Sequence, residues 1–295
     1  MSGGANELGE PLTFLALEDS VFTLTVGSNI VSTNKMEYIE YSLNKKDWVR
    51  TNISGGGYNS IVITTPQISS GNKIYWRGRG QLLGNENQSN SSSIFSATGQ
   101  FEAYGNIMSL LDPISFKDNG TLVASFSEMF MNCQQLKKAP ILPSMQLGDF
   151  AYVNMFSGTS IEETPYLPAE TMSLACYNYM FYNCTNLFKI NEIKAKVLAG
   201  SCFQSMFQYC KNIEESPVLE IETLAERSYY NMFGECSKLK KITMLAIDIS
   251  ASDCLFNWVN GVAATGTFIK NPAMTTLPTG ASGIPRGWTV EDYAG

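Results

Sequence analysis

The dipeptide Met-Phe recurs at 129–130, 155–156, 180–181, 206–207 and 232–233, in steps of 26, 25, 26 and 26 residues, and Leu255-Phe256 reads as a worn sixth copy 23 residues further on. An aromatic stands three residues before each Met (Phe126, Tyr152, Tyr177, Phe203, Tyr229), and Cys133, Thr159, Cys184, Cys210 and Cys236 stand three after each Phe. A branched apolar residue follows in every copy: Leu136, Ile161, Leu187, Ile213 and Leu239. The second copy is one residue short between Phe156 and Ile161, which accounts for its 25-residue step and its missing cysteine. A unit of this length cannot bury its apolar face alone. Stacked neighbours must share one core, and three or more copies are needed. The repeats therefore predict a solenoid over 121–254, closed by a degenerate repeat and cap over 255–295 in which Trp258 and Trp288 are buried.

Within a repeat, Leu198, Cys202, Met206 and Cys210 fall at i, i+4 spacing, with Phe203 and Phe207 one step round, and this predicts an amphipathic helix. The stretch after the cysteine column is too short for a helix and predicts a brief parallel strand, followed by the turns Pro140–Pro143 and Pro165–Pro168. The expected unit is strand, turn, helix, with one sheet face left open. The paired residues inside those strands are Lys137-Lys138, Glu162-Glu163, Phe188-Lys189, Glu214-Glu215 and Lys240-Lys241. Stacked at ~4.8 Å they alternate in sign and disfavour a register slip. Phe188 interrupts this charged ladder near Tyr166. Tyr166, Phe188, Lys189, Glu192 and Glu214 are accordingly the candidate binding residues, and the polar stretch Gly84–Ser93 is the competing contact loop.

Ahead of the repeats, residues 1–10 read as a flexible arm, 11–104 as an all-β unit and 105–120 as a connector. Phe22, Leu24 and Val26 share one parity, as do Ile39, Tyr41 and Leu43, Ile61 and Ile63, and Ile74 and Trp76. Short alternating runs bounded by turn residues predict an immunoglobulin-like or fibronectin-like β-sandwich. The overall fold class is an all-β sandwich followed by an α/β leucine-rich-repeat type of solenoid.

The chemistry available is narrow. The chain holds no histidine, so serine and cysteine nucleophiles lack their usual base and histidine-containing metal sites cannot form. Glu162, Glu163, Glu214 and Glu215 lie beside lysines on an exposed ladder, without the desolvation that a general acid needs. No catalytic residue, metal or other cofactor is expected. A net charge of −7 argues against nucleic acid as partner, and no apolar run is long enough to insert in a membrane. The seven cysteines occupy repeat columns, Cys176 and Cys202 sharing one with Ala151 and Ser228, so they are expected to be reduced core thiols.

The strings Ala139-Pro140-Ile141-Leu142-Pro143 and Cys176-Tyr177-Asn178-Tyr179-Met180-Phe181-Tyr182-Asn183-Cys184-Thr185-Asn186-Leu187 resemble the leucine-rich repeats of BspA-like bacterial surface proteins. Pro11-Leu12-Thr13-Phe14, Lys73-Ile74-Tyr75-Trp76-Arg77-Gly78 and Tyr104-Gly105-Asn106-Ile107-Met108 look like the β-domain that precedes such repeats in gut Bacteroidetes and the phages infecting them. The resemblance implies display and adhesion without catalysis. Two settings follow from it. One is a virion component, a head or tail fibre or decoration protein that contacts the bacterial surface and needs no signal peptide. The other is a Bacteroidetes cell-surface adhesin or glycan-binding protein lacking its signal peptide. Partners in either setting would be a bacterial surface glycan or protein, other virion subunits, or a further copy in a homo-oligomer.

Overall fold

The computed structural model describes residues 8–55, 57–84, 92–116, 121–122 and 126–294. It is almost entirely β, with a β-solenoid in its carboxy-terminal part. Strands β1 (Leu12–Ala16), β2 (Phe22–Val26), β3 (Met36–Ser42), β4 (Val49–Asn52), β5 (Ile61–Thr64), β6 (Lys73–Gly80), β7 (Ile94–Ala97) and β8 (Phe101–Tyr104) make up the amino-terminal part, with one short helix, α1 (Ser28–Ser32), after β2. They fall into two sheets, β8-β1-β6-β3-β4 and β5-β2-β7, antiparallel throughout. The alternation in β2 and β6 buries Phe22, Leu24, Val26, Ile74 and Trp76 as their parity demands. Rings from both sheets meet: Phe14 of β1 lies 5.0 Å from Phe95 of β7, and Trp76 of β6 lies 5.1 Å from the same ring.

Parity fails at β3. Leu43 is exposed, whereas Glu40 is 4% exposed and accepts from Arg50 Nε at 2.7 Å and Arg77 Nε at 2.6 Å. The two guanidinium groups stack on Tyr38 and Trp48. Aromatic platforms thus position two cations that offset the cost of burying one carboxylate, an arrangement that hydropathy alone does not reveal.

The solenoid is joined to this body by main-chain pairing. After β9 (Thr121–Leu122), strand β10 (Leu136–Lys138) of the first coil runs parallel to β8 and extends its sheet. Phe130 stacks on Phe95 at 5.5 Å, so one apolar core runs through the junction. Later strands are β11 (Gln146–Leu147), which pairs with β9, then β12 (Glu215–Leu219), β13 (Lys241–Met244), β14 (Thr267–Lys270) and β15 (Thr289–Asp292), which form a parallel four-stranded sheet. Between them the strand side of the coils is paired at isolated parallel bridges such as Glu163↔Lys189 and Leu167↔Ile193, so the strand expected in every repeat is reduced to a single bridge in the middle coils.

The expected helix is absent. Where it was predicted, the backbone forms a ribbon of consecutive turns in which every fourth residue is left-handed: Phe150 and Asn154, then Ala175, Tyr179 and Asn183, then Ser201, Ser205 and Tyr209, then Arg227, Asn231 and Glu235. Alternate amides close turns within a coil, as Met180 N to Tyr177 O at 3.2 Å. The amides between them all donate to the next coil. Phe130, Phe156, Phe181, Phe207 and Phe233 donate to the carbonyls of Met155, Met180, Met206, Met232 and Trp258 at 2.8–3.0 Å. Strict fourfold spacing explains the difference from a helix, because at 3.6 residues per turn a four-residue step drifts by about 40°. Leu198, Cys202, Met206 and Cys210 keep one inward face on a four-residue ribbon and would spiral away from it on a helix.

Side chains stack in register with this backbone. Phe130, Phe156, Phe181, Phe207 and Phe233 form one column with centroid spacings of 5.5–5.7 Å and ring planes within 8°. A second column runs through Phe126, Tyr152, Tyr177, Phe203 and Tyr229, and the Trp258 ring stacks on its last member. Hydrogen bonding also corrects the sixth copy. Because Phe233 donates to Trp258 O as Phe207 does to Met232 O, Trp258-Val259 and not Leu255-Phe256 occupies the Met-Phe place. The step from 232 to 258 is then 26, as in every other coil but the 25-residue second.

Every cysteine is a buried free thiol. Cys184, Cys210 and Cys236 donate from Sγ at 3.0 Å to the carbonyls of Phe156, Phe181 and Phe207, one coil back. Burial pushes the thiols up, Cys133 and Cys202 to about 12 and Cys184 to about 11. At the far end, Trp258 and Trp288 are buried and donate from Nε1 to the carbonyls of Gly283 and Ala263. Gly266 permits this closure, since a Cβ there would lie 2.3 Å from Lys240 O and 2.8 Å from the Trp288 ring.

Two outcomes follow. Alkylation of the folded protein should leave its thiols almost unlabelled, whereas denaturation without reductant should give seven labels per chain. Fewer than seven by mass spectrometry would contradict the ladder of thiols. The second concerns Glu40. Burial favours its neutral form, but the hydrogen bonds and charges of Arg77 and Arg50 outweigh this and hold its carboxyl below the usual carboxylate range. A depressed carboxylate contributes stability that is complete above its unfolded pKa and is lost as pH falls through the folded one. The urea midpoint should therefore fall more steeply below about pH 4.5 in the parent than in Glu40→Gln. Parallel acid limbs for the two proteins would contradict this.

Candidate functional site

Where β8 meets the first two coils, the surface opens into a groove of about 450 Å³. Its floor comes from Pro140–Pro143 and Pro165–Pro168, predicted as turns but extended, with parallel bridges at Ile141 and Leu167; they lie 25 residues apart and are therefore superposed by the repeat. Each segment holds two prolines, which lack an N–H and fix extended backbone. The floor is in consequence apolar, with Pro140, Leu142, Pro143 and Pro168 buried. Met145 and Tyr166 stand out from it, and Tyr166 is 51% exposed.

Polar groups gather along the rim. Lys138 Nζ sits 4.1 Å above the Tyr104 ring, so the cation is held over an aromatic face at the edge of the groove. Glu163 also lines it and accepts from Lys189 Nζ at 2.8 Å. Asn191 is fixed by Thr164, whose Oγ1 accepts from Asn191 N at 2.9 Å and whose carbonyl accepts from Asn191 Nδ2. The rim thus offers one cation and one carboxylate already engaged by a lysine, above a hydrophobic base. No group of three or more potential metal ligands occurs among the described residues.

The five candidate residues from the sequence separate. Tyr166 lines the groove, and Lys189 reaches it through Glu163. Phe188 is 58% exposed but is not part of the lining. Glu192 pairs with Lys194, and Glu214 with Lys240, which holds the Glu214 carboxyl below the usual range. The charged ladder forms as ion pairs between successive coils, Glu163–Lys189, Glu214–Lys240 and Glu215–Lys241. Exposed pairs of this kind contribute about 0–1 kcal/mol each, so they set register more than stability. Of the competing loop Gly84–Ser93, residues 85–91 lie outside the described residues.

Sequence reasoning missed Tyr104, Lys138 and Met145. A signal was present for the floor, because two Pro-x-x-Pro segments one repeat apart must stack. Tyr104 and Lys138 come together only through the parallel pairing of β8 with β10, which no local pattern announces. No protein family, curated protein or solved structure matches the chain.

Proposed function

We propose that this chain is a non-enzymatic binding protein whose groove takes an extended segment of a surface macromolecule. The observation that carries the proposal is the apolar floor of stacked, extended Pro-x-x-Pro segments with Tyr166 and Met145 exposed above it. Concave, mainly apolar sites with a few fixed polar groups are the usual form of ligand pockets, and rigid tyrosines are frequent energetic anchors. In keeping with the repeat resemblance, the solenoid is read as a leucine-rich repeat of the BspA-like kind in which a turn ribbon takes the place of the helix. The amino-terminal sheets are read as an immunoglobulin-like or fibronectin-like sandwich. The same resemblance suggests display on a phage particle as a fibre or decoration protein, or on a bacterial cell as an adhesin.

The test uses the full chain, fluorescently labelled, with intact gut Bacteroidetes cells. Tyr166→Ala combined with Met145→Ala should weaken binding at least about tenfold. Phe188→Ala, outside the groove, should leave it unchanged. Undiminished binding by the groove variant would refute the proposal.

A further inference from the structure

A second surface, sharing no residue with the groove, lies on the outward side of the turn ribbon. Tyr182 stands between Tyr179 and Tyr209, with ring centroids 5.5 and 5.4 Å away in edge-to-face contact. All three are half-buried, so each ring keeps part of its surface toward solvent.

Two of these tyrosines occupy positions that the backbone disfavours for them. Tyr179 and Tyr209 have φ of +54° and +66°. Tyr179 shares its repeat column with Glu128, Asn154, Ser205, Asn231 and Asn257, and Tyr209 shares its own with Asn132, Gly158, Asn183, Glu235 and Gly261, so seven of the ten other places hold Asn or Gly and none holds a second aromatic. Asparagine and glycine adopt the left-handed region with far less strain than a bulky side chain. Folding alone therefore favours Asn or Gly at 179 and 209. Strain retained on a solvent-facing surface points to a use for the side chain.

The surroundings indicate what that use is. The ribbon stretches 150–159, 175–184 and 201–210 hold no charged residue, and the amides Asn183, Gln204 and Gln208 lie in the same coils as the tyrosines; Glu235, next after Tyr209 in its column, accepts from Asn260 Nδ2 at 3.0 Å in the following coil. Gln208 lies against the bare backbone of Gly234, where a Cβ would stand 3.4 Å from its Cγ. Asn178 keeps its Oδ1 buried without a hydrogen-bond partner. The strand side of the same coils is, by contrast, crowded with ion pairs. Tyr and Asn together supply rigid amphipathic area and adaptable hydrogen bonding. A surface of aromatic faces and amides without charge complements a ligand rich in hydroxyls and C–H bonds and equally uncharged.

We propose that the Tyr179–Tyr182–Tyr209 surface binds a neutral saccharide, its rings stacking on sugar C–H faces and the neighbouring amides bonding hydroxyls. The experiment is electrophoresis of the full chain through native gels containing dextran, mannan or galactan, with polygalacturonate as the charged polymer. At least one neutral polymer should retard the protein and polygalacturonate should not. The double variant Tyr179→Asn with Tyr209→Asn should run freely while melting at the same temperature or higher, because Asn fits the left-handed backbone. Tyr166→Ala with Met145→Ala should still be retarded, which separates this surface from the groove. Absence of retardation by all three neutral polymers would overturn the proposal, as would retardation only by polygalacturonate. Persistent retardation of the double variant, loss of retardation in the groove variant, or a lowered melting temperature of the double variant would each do the same.

Discussion

One-way main-chain hydrogen bonding along the turn ribbon is the constraint on which the rest of the molecule depends. In the turn ribbon, the amides that leave a coil all point toward the carboxy-terminal end, and the carbonyls that receive them all point back. A stack built in this way has unlike ends: free carbonyls at its start and free amides at its finish. Buried main-chain groups need partners, so the two ends require different covers. At the start, Phe95 of β7 donates to Met129 O and Phe101 of β8 donates to Gln135 O. At the finish, Ala281 O and Ser282 Oγ accept from Val259 and Asn257. The amino-terminal sheets and the carboxy-terminal cap are thus complements of one polar stack.

Function inherits this arrangement. Because the first coil must be covered from the amino-terminal side, β8 and β10 pair, and their pairing brings Tyr104 and Lys138 to the rim of the groove. Because coils superpose at nearly constant spacing, two extended proline segments stack into its floor. The same repetition sets aromatic and amide columns side by side on the ribbon's outer surface. Each candidate surface is therefore a consequence of stacking rather than of any one local motif.

Much of this was legible in the sequence. The Met-Phe, aromatic and cysteine columns locate the buried stack, and Met155, Met180, Met206 and Met232 are fully buried as their period requires. Period two in β2 and β6 identifies the inward faces there. The helix was not legible as absent, since i, i+4 spacing is shared by a 3.6-residue helix and a four-residue ribbon. Yet the recurrence of Asn154, Asn231 and Asn257, and of Asn132, Gly158, Asn183 and Gly261, marks left-handed positions in advance. The worn sixth copy was misplaced by three residues because Leu255-Phe256 resembles Met-Phe more than Trp258-Val259 does. Burial of Glu40 and the meeting of Tyr104 with Lys138 depend on pairing between distant strands, so periodicity could not reveal them.

The ribbon is tested most directly by scalar coupling across its hydrogen bonds, measured by NMR on deuterated, 13C- and 15N-labelled protein. The amide nitrogens of Phe156, Phe181 and Phe207 should couple to the carbonyl carbons of Met180, Met206 and Met232 in the following coil. Couplings from the same amides to Tyr152, Tyr177 and Phe203, four residues back as in an α-helix, would contradict the account.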